Sequence, residues 1–158
     1  MTTTEGHRRP RVAASLAVFA RKNRTLLLIR RRTEPFAGQY AFPGGFIDVG
    51  KEDIYETAVR ELREETGVSV SKHNIRLIDI RSSPTRDPRD HVIDVGFLAI
   101  TETQPQAVGM TEEAEPTWMA MEAIGDLSLA FDHKAFWVAV ERFLSVGENT
   151  TSGGENRA

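Results

Sequence analysis

The sequence predicts an α+β domain in which a sheet is covered by helices, and three observations carry that reading. Short runs rich in Val, Ile and Leu recur along the chain. Two segments carry apolar side chains at helical spacing, and neither a linker nor an internal repeat divides them. With 158 residues, 40% of them apolar and 27% charged, the chain is long enough for one real core and has an ordinary globular composition.

The elements follow in order. "RVAASLAVFA" (11–20) and "RTLLLIRRR" (24–32) read as two strands joined by a polar link at "RKN". "EPFAGQYAFPGG" (34–45) is punctuated by Pro35, Gly38, Pro43, Gly44 and Gly45, which predicts loop with one short strand at Tyr40 to Phe42. A helix is expected from Ile54 to Thr66. Asp53 with Glu56 three residues on gives it a capping-box start, and Gly67 is placed to close its end. "IRLIDIRS" (75–82) and "HVIDVGFLAI" (91–100) read as strands, and Ile93, Val95, Phe97 and Ala99 alternate on one face of the second. Between them lies the polar loop "SPTRDPRD" (83–90). "PTWMAM" (116–121) is a last strand, and "DHKAFWVAVERFL" (132–144) spaces Phe136, Val140 and Phe143 as a helix does. Residues 1–10 read as a flexible tail, 11–146 as a single domain, and the Gly/Ser/Thr/Asn-rich 147–158 as a disordered tail.

Composition removes several functions. A net charge of −3 offers no footprint for nucleic acid or for polybasic membrane attachment. The chain has no cysteine, so disulfides, thiolate nucleophiles and zinc–thiolate sites are excluded. The start, "MTTTEGHRRP", lacks an apolar signal region, and no run approaches the roughly 18 apolar residues of a membrane span. The expectation is a cytoplasmic protein with neither nucleic-acid nor membrane partners.

"RELREETG" (60–67) sets three glutamates within five positions, although like charges at helical neighbours repel. With 100° per residue and Glu61 at zero, Glu65 lies about 40° to one side and Glu64 about 60° to the other. The three carboxylates therefore share one flank. Tyr55, Ala58, Val59 and Leu62 form the adjacent apolar stripe, while Arg60 and Arg63 fall on the opposite flank, Arg60 within reach of a neighbouring glutamate. A solvated charged face and a site for a hard divalent cation both fit this geometry, and periodicity alone leaves both open.

The preceding loop narrows the choice. "PGGFIDVGKED" (43–53) places Gly44 and Gly45 where backbone turns sharply or another group approaches closely. From Gly45 to Val68 the chain resembles the signature of the Nudix hydrolases: glycine, five residues, glutamate, seven residues, then Arg-Glu-aliphatic-any-Glu-Glu-any-Gly-aliphatic. Arg60, Glu61, Leu62, Glu64, Glu65, Gly67 and Val68 match in register, with Glu52 at the required distance before Arg60. One departure stands out: six residues, not five, separate Gly45 from Glu52, an insertion around Gly50–Lys51.

The resemblance implies an α/β/α sandwich with a mixed sheet between helices, and a metal-dependent hydrolase of a diphosphate linked to another moiety. It implies Mg2+ or Mn2+ held by Glu61, Glu64 and Glu65, with Glu52 auxiliary and Arg60 orienting the carboxylates. No one glutamate would serve as both a full ligand and the proton acceptor, and in this family the base often lies outside the signature. "GMTEEAEPTW" (109–118) offers Glu112 and Glu113 for that role.

More of the chain is similar to the ADP-ribose pyrophosphatase branch: "RRRTEPFAGQYAFPGGFIDVG", "SPTRDPRDHVIDVGFLAI" and "LAFDHKAF". The likeness implies splitting of ADP-ribose into AMP and ribose 5-phosphate. Alternatives are a nucleoside triphosphate, dinucleotide or NADH pyrophosphohydrolase, and a non-catalytic ADP-ribose sensor; the last is disfavoured because the chain leaves no room for a DNA-binding domain. Arg86 and Arg89 have forked donors for phosphate or ribose oxygens. Arg30 and Arg32 are candidates from the strand end, Phe36 or Tyr40 for stacking on adenine, and Gly44 and Gly45 for close backbone approach. His133 reads as a cap or a core hydrogen-bond partner, and a homodimer is expected from the branch alone.

Overall fold

The computed structural model describes residues 8–147 in full and the backbone as far as Thr151. Among them, seven strands form one mixed sheet: β1 (Arg11–Ala20), β2 (Thr25–Arg31), β3 (Tyr40–Ala41), β4 (Gly44–Phe46), β5 (Arg76–Arg81), β6 (Val92–Thr101) and β7 (Ala114–Ala120). β1 is central. It runs parallel to β6 over its whole length, from Arg11 opposite Val92 to Ala20 opposite Thr101, and every other pairing is antiparallel. The spatial order is β3-β2-β1-β6-β5, with β4 also on β1 and β7 also on β2.

Both faces of β1 are covered, which is why its sequence is nearly continuous in apolar residues. Ala14, Leu16 and Val18 meet Ala58 and Leu62 of helix α1 (Ile54–Thr66) on one side. Ala17 and Phe19 meet Phe136, Trp137 and Val140 of helix α3 (His133–Thr151), together with Ile124 of the short α2 (Met121–Ile124), on the other. The period of two thus feeds two separate cores, and the expected sandwich with a mixed sheet between helices is what forms. β6 follows the same alternation. Val95, Phe97 and Ala99 pack towards α1, and Leu98 is equally buried beneath α3. Gly96 is bare because a side chain there would strike the Phe136 ring.

α1 has the expected bounds for local reasons. Asp53 accepts the Glu56 N–H, the Glu56 carboxylate accepts the Asp53 N–H, both at 2.9 Å, and Gly67 closes the helix at φ +71. Two expectations need amending. β4 forms from residues read as loop, because Gly44 and Gly45 pair with Ser15 and Ala14. The last helix runs on to Thr151 rather than ending before 147. Residues 1–7 and 152–158, most of both expected tails, lie outside the described residues. No helix among the described residues is long and apolar enough to cross a membrane.

Candidate active site

The sheet, α1 and the loops at one end of β1 line an open cavity of about 600 Å³. α1 supplies one wall with Arg60, Glu61, Glu64 and Glu65, backed by Gly44 and Gly45. Ser15, Arg31, Asp94 and His133 line it from the sheet and the start of α3, and Arg86, Arg89 and Glu113 line it from loops.

On the α1 wall, Glu65 is partly buried, and its Oε2 is shut off from solvent with no hydrogen-bond partner. Burial, then the nearby charge of Glu61, pushes its pKa well above the usual carboxylate range, opposed by a hydrogen bond from the Gly44 N–H. Burial also raises the Glu61 pKa, against the restraint of Arg60 at 2.9 Å. The Glu61 carboxylate lies so close to Gly45 that a β-carbon there would be 2.7 Å from Oε2 and nearer still to Oε1. Glu64 is half exposed and reaches Arg60 at 3.0 Å.

Arg60 is the hub of this wall: it lines the cavity beside the glutamates rather than an opposite flank, and it reaches its neighbouring glutamates as expected. Its Nε and Nη2 donate to the two oxygens of Glu52 at 2.8 and 2.7 Å, Nη1 donates to Glu61 and Glu64, and Nη2 also reaches the Phe46 carbonyl. Glu52 stands behind this arginine. The Arg60 bond holds its pKa down at about 2. Its Oε1 also accepts the Asp48 N–H and the Thr57 hydroxyl, and it does not line the cavity. Glu52 anchors Arg60. The extra residue is absorbed in the turn Asp48–Lys51, closed by Lys51 N–H to Asp48 O and turned by Gly50 at φ +81.

Among the described residues no three carboxylate or imidazole groups stand ready-gathered as a metal-ligand set. The donors nevertheless suit a hard divalent cation: a buried carboxylate oxygen lacks any partner, and glycine backbone leaves room beside a second carboxylate.

On the other side, Arg86 is buried and grips Asp132 with two donors, at 2.9 and 2.7 Å. Burial opposes ionisation of Asp132, yet Arg86 and Arg81 hold its pKa below the usual range. Asp94 accepts the Ser15 hydroxyl at 2.8 Å and pairs with Arg81. Arg89 is clamped by Asp87 through Nε, Nη2 and its own backbone N–H. His133 is a core partner, as expected. Burial drives its pKa down to about 3, and its Nδ1 accepts the Phe42 N–H at 3.0 Å.

Several of the expected substrate-binding residues lie outside the lining. Arg30 and Arg32 point away, to the Gly38 carbonyl and to Glu115, while Arg31 between them lines the cavity. The strand period explains the exchange. Arg30 and Arg32 share parity with Leu26 and Leu28, which pack under α3, and Arg31 shares parity with Leu27 on the α1 side. Tyr40 packs against the α3 core and Phe36 against Phe131, so neither lines the cavity. Glu112 is outside the lining and Glu113 is within it. The aspartates that hold the arginines, Asp87 and Asp132, were missed. Their sequence sign was that they are the aspartates of the Arg-Asp-Pro-Arg and Phe-Asp-His pieces.

A mixed sheet lies between helices, and carboxylates on a capped helix face the same cavity as arginines. The chain belongs to the Nudix family: the family model described as NUDIX domain matches residues 9–140. Similar proteins include an "ADP-ribose pyrophosphatase" of Methanocaldococcus jannaschii, 40% identical over 118 residues, covering 72% of this chain and 63% of that one. An "ADPR responsive transcriptional repressor NtrR" of Acinetobacter baylyi is 28% identical over 127 residues, covering 78% of this chain and 50% of the relative. The chain thus spans between half and two thirds of the length of these relatives. The NUDIX domain of Shewanella oneidensis NrtR, solved with ADP ribose, shares the fold with a TM-score of 0.80 at 22% identity, over 90% of this chain and 94% of that one.

Proposed function

We propose that this chain is a metal-dependent pyrophosphohydrolase that splits ADP-ribose, or a related nucleoside diphosphate derivative, into AMP and a sugar phosphate. One observation carries the reading: three glutamates of one helix and three arginines from other elements line a single cavity of about 600 Å³, a volume suited to a ligand of nucleotide size. The similarity to the archaeal ADP-ribose pyrophosphatase supports the choice of substrate.

In this reading Glu61, Glu64 and Glu65 hold Mg2+ or Mn2+. The ion, when bound, neutralises phosphate charge and acidifies an attacking water. Arg60, fixed by Glu52, keeps Glu61 and Glu64 turned into the cavity. Arg31 and Arg89 orient the diphosphate by charge-assisted hydrogen bonds. Glu113 takes the proton from the water, being the candidate base that lines the cavity without belonging to α1.

The test is product identification with magnesium across ADP-ribose, NADH, a dinucleotide polyphosphate and nucleoside triphosphates. AMP with ribose 5-phosphate is the expected outcome. NMP with pyrophosphate from the triphosphates alone would replace this reading with the triphosphate one. Tight ADP-ribose binding without turnover would favour a sensor, the reading that the likeness to the ADPR-responsive repressor supports.

A further inference from the structure

Phe131, in the piece "LAFDHKAF", lines the cavity with its backbone held at φ +53. A bulky residue rarely adopts that left-handed conformation, and strain of this kind gathers at working sites. Phe36, whose ring meets Phe131 edge-on at 4.9 Å, is held the same way at φ +65. Two guanidiniums gather on Phe131: Arg31 stands 5.0 Å and Arg89 5.3 Å from the ring centroid. Arg89 is also 5.1 Å from the ring of Phe46, which in turn carries Arg11 at 3.4 Å. Arginines and rings therefore alternate along one run, Arg11–Phe46–Arg89–Phe131–Arg31.

The far ends of both inner arginines are fixed. Arg31 donates its Nε to the Pro35 carbonyl at 2.8 Å, and Arg89 is gripped by Asp87. Two like charges around one ring repel, and burial together with Arg89 depresses the Arg31 pKa. The ring faces offset part of that repulsion, and an anion lying against both guanidiniums would offset the rest.

We propose that Phe131 is a positioning residue: its ring holds Arg31 and Arg89 as a paired clamp for one phosphate group of the substrate. The inference rests on the diphosphate reading above and adds a residue that touches no reacting atom. Phe131→Leu keeps apolar bulk but removes the aromatic face, and Phe131→Tyr keeps the face. Phe131→Gly, which relieves the positive φ, stands in if the leucine variant fails to fold by its thermal melt. The readouts on the full chain are calorimetric affinity for a methylene-bridged ADP analogue in magnesium, and KM and kcat for ADP-ribose.

Phe131→Leu is expected to weaken analogue binding and raise KM by about ten-fold, roughly one charge-assisted contact, with kcat within about two-fold and Phe131→Tyr like the wild type. In an Arg89→Lys background the same change should add little, because both act through one contact. Wild-type affinity in Phe131→Leu, losses that multiply with Arg89→Lys, or no analogue binding by the wild type would each overturn the clamp. Clamp-dependent binding without ADP-ribose cleavage would leave the clamp standing and sink the hydrolase reading alone.

Discussion

Gly45→Ala isolates the geometry of the proposed metal wall. Gly45 does not have a positive φ, so alanine brings no backbone strain there. What it brings is a β-carbon 2.7 Å from Glu61 Oε2 and nearer to the rest of that carboxylate, against an ordinary contact of about 3.4 Å or more. The carboxylate must therefore retreat by about 1 Å, and a misplacement of that size costs on the order of 100-fold in rate, or about 2.7 kcal/mol of transition-state stabilisation. The backbone cannot yield instead, because β4 is pinned to β1 at this register. The assay is kcat/KM for ADP-ribose at saturating magnesium, with the thermal melt measured alongside. Gly50→Ala is the control: its φ is +81 with nothing within 4 Å of the added carbon, so it should lose about 1 kcal/mol of stability and no activity. Undiminished turnover by Gly45→Ala would show that Glu61 need not sit where α1 presents it, and the assignment of this wall would fall.

Other outcomes follow from the same geometry. Glu65→Gln should melt higher than the wild type in metal-free buffer at pH 8, because the folded pKa of Glu65 is raised and stability falls as pH rises towards it. The same variant should lose the magnesium-induced rise in Tm and lose turnover on the order of 100-fold or more, since even a supporting partner of a metal site is worth about 10–100-fold. Glu113→Gln should lower kcat by about 10²–10⁴ as a lost general base, whereas Glu112→Gln should stay within about two-fold; the reverse order would move the base. His133, with a folded pKa of about 3, binds its proton in the unfolded chain first. Stability is therefore lost as pH falls below about 6.5, by up to about 1.4 kcal/mol per pH unit. Urea titrations of His133→Gln between pH 7 and 5 should lack that slope.

Much of the architecture was legible because its causes are local. The bounds of α1 follow from Asp53, Glu56 and Gly67, whose caps depend on neighbours within a few residues. The common flank of Glu61, Glu64 and Glu65 follows from helical rotation alone, and the Nudix likeness carried the sandwich and the family. β4 was not legible, since its two glycines become a strand only by lying against Ala14 and Ser15.

Sequence by itself determined where α1 begins and ends, which carboxylates share its face, and which loop carries Arg86 and Arg89. Tertiary structure decided which groups meet. From the period of two, Arg31 must oppose Arg30 and Arg32, but only the packing of Leu27 under α1 and of Leu26 and Leu28 under α3 says which side holds the cavity. Glu52 lies eight residues before Arg60, and it became that arginine's anchor when the turn Asp48–Lys51 folded its carboxylate back onto α1. The gathering of Arg31 and Arg89 around Phe131 draws on three distant segments. Spacing along a chain fixes direction within one element, whereas a contact between elements depends on how whole faces are buried.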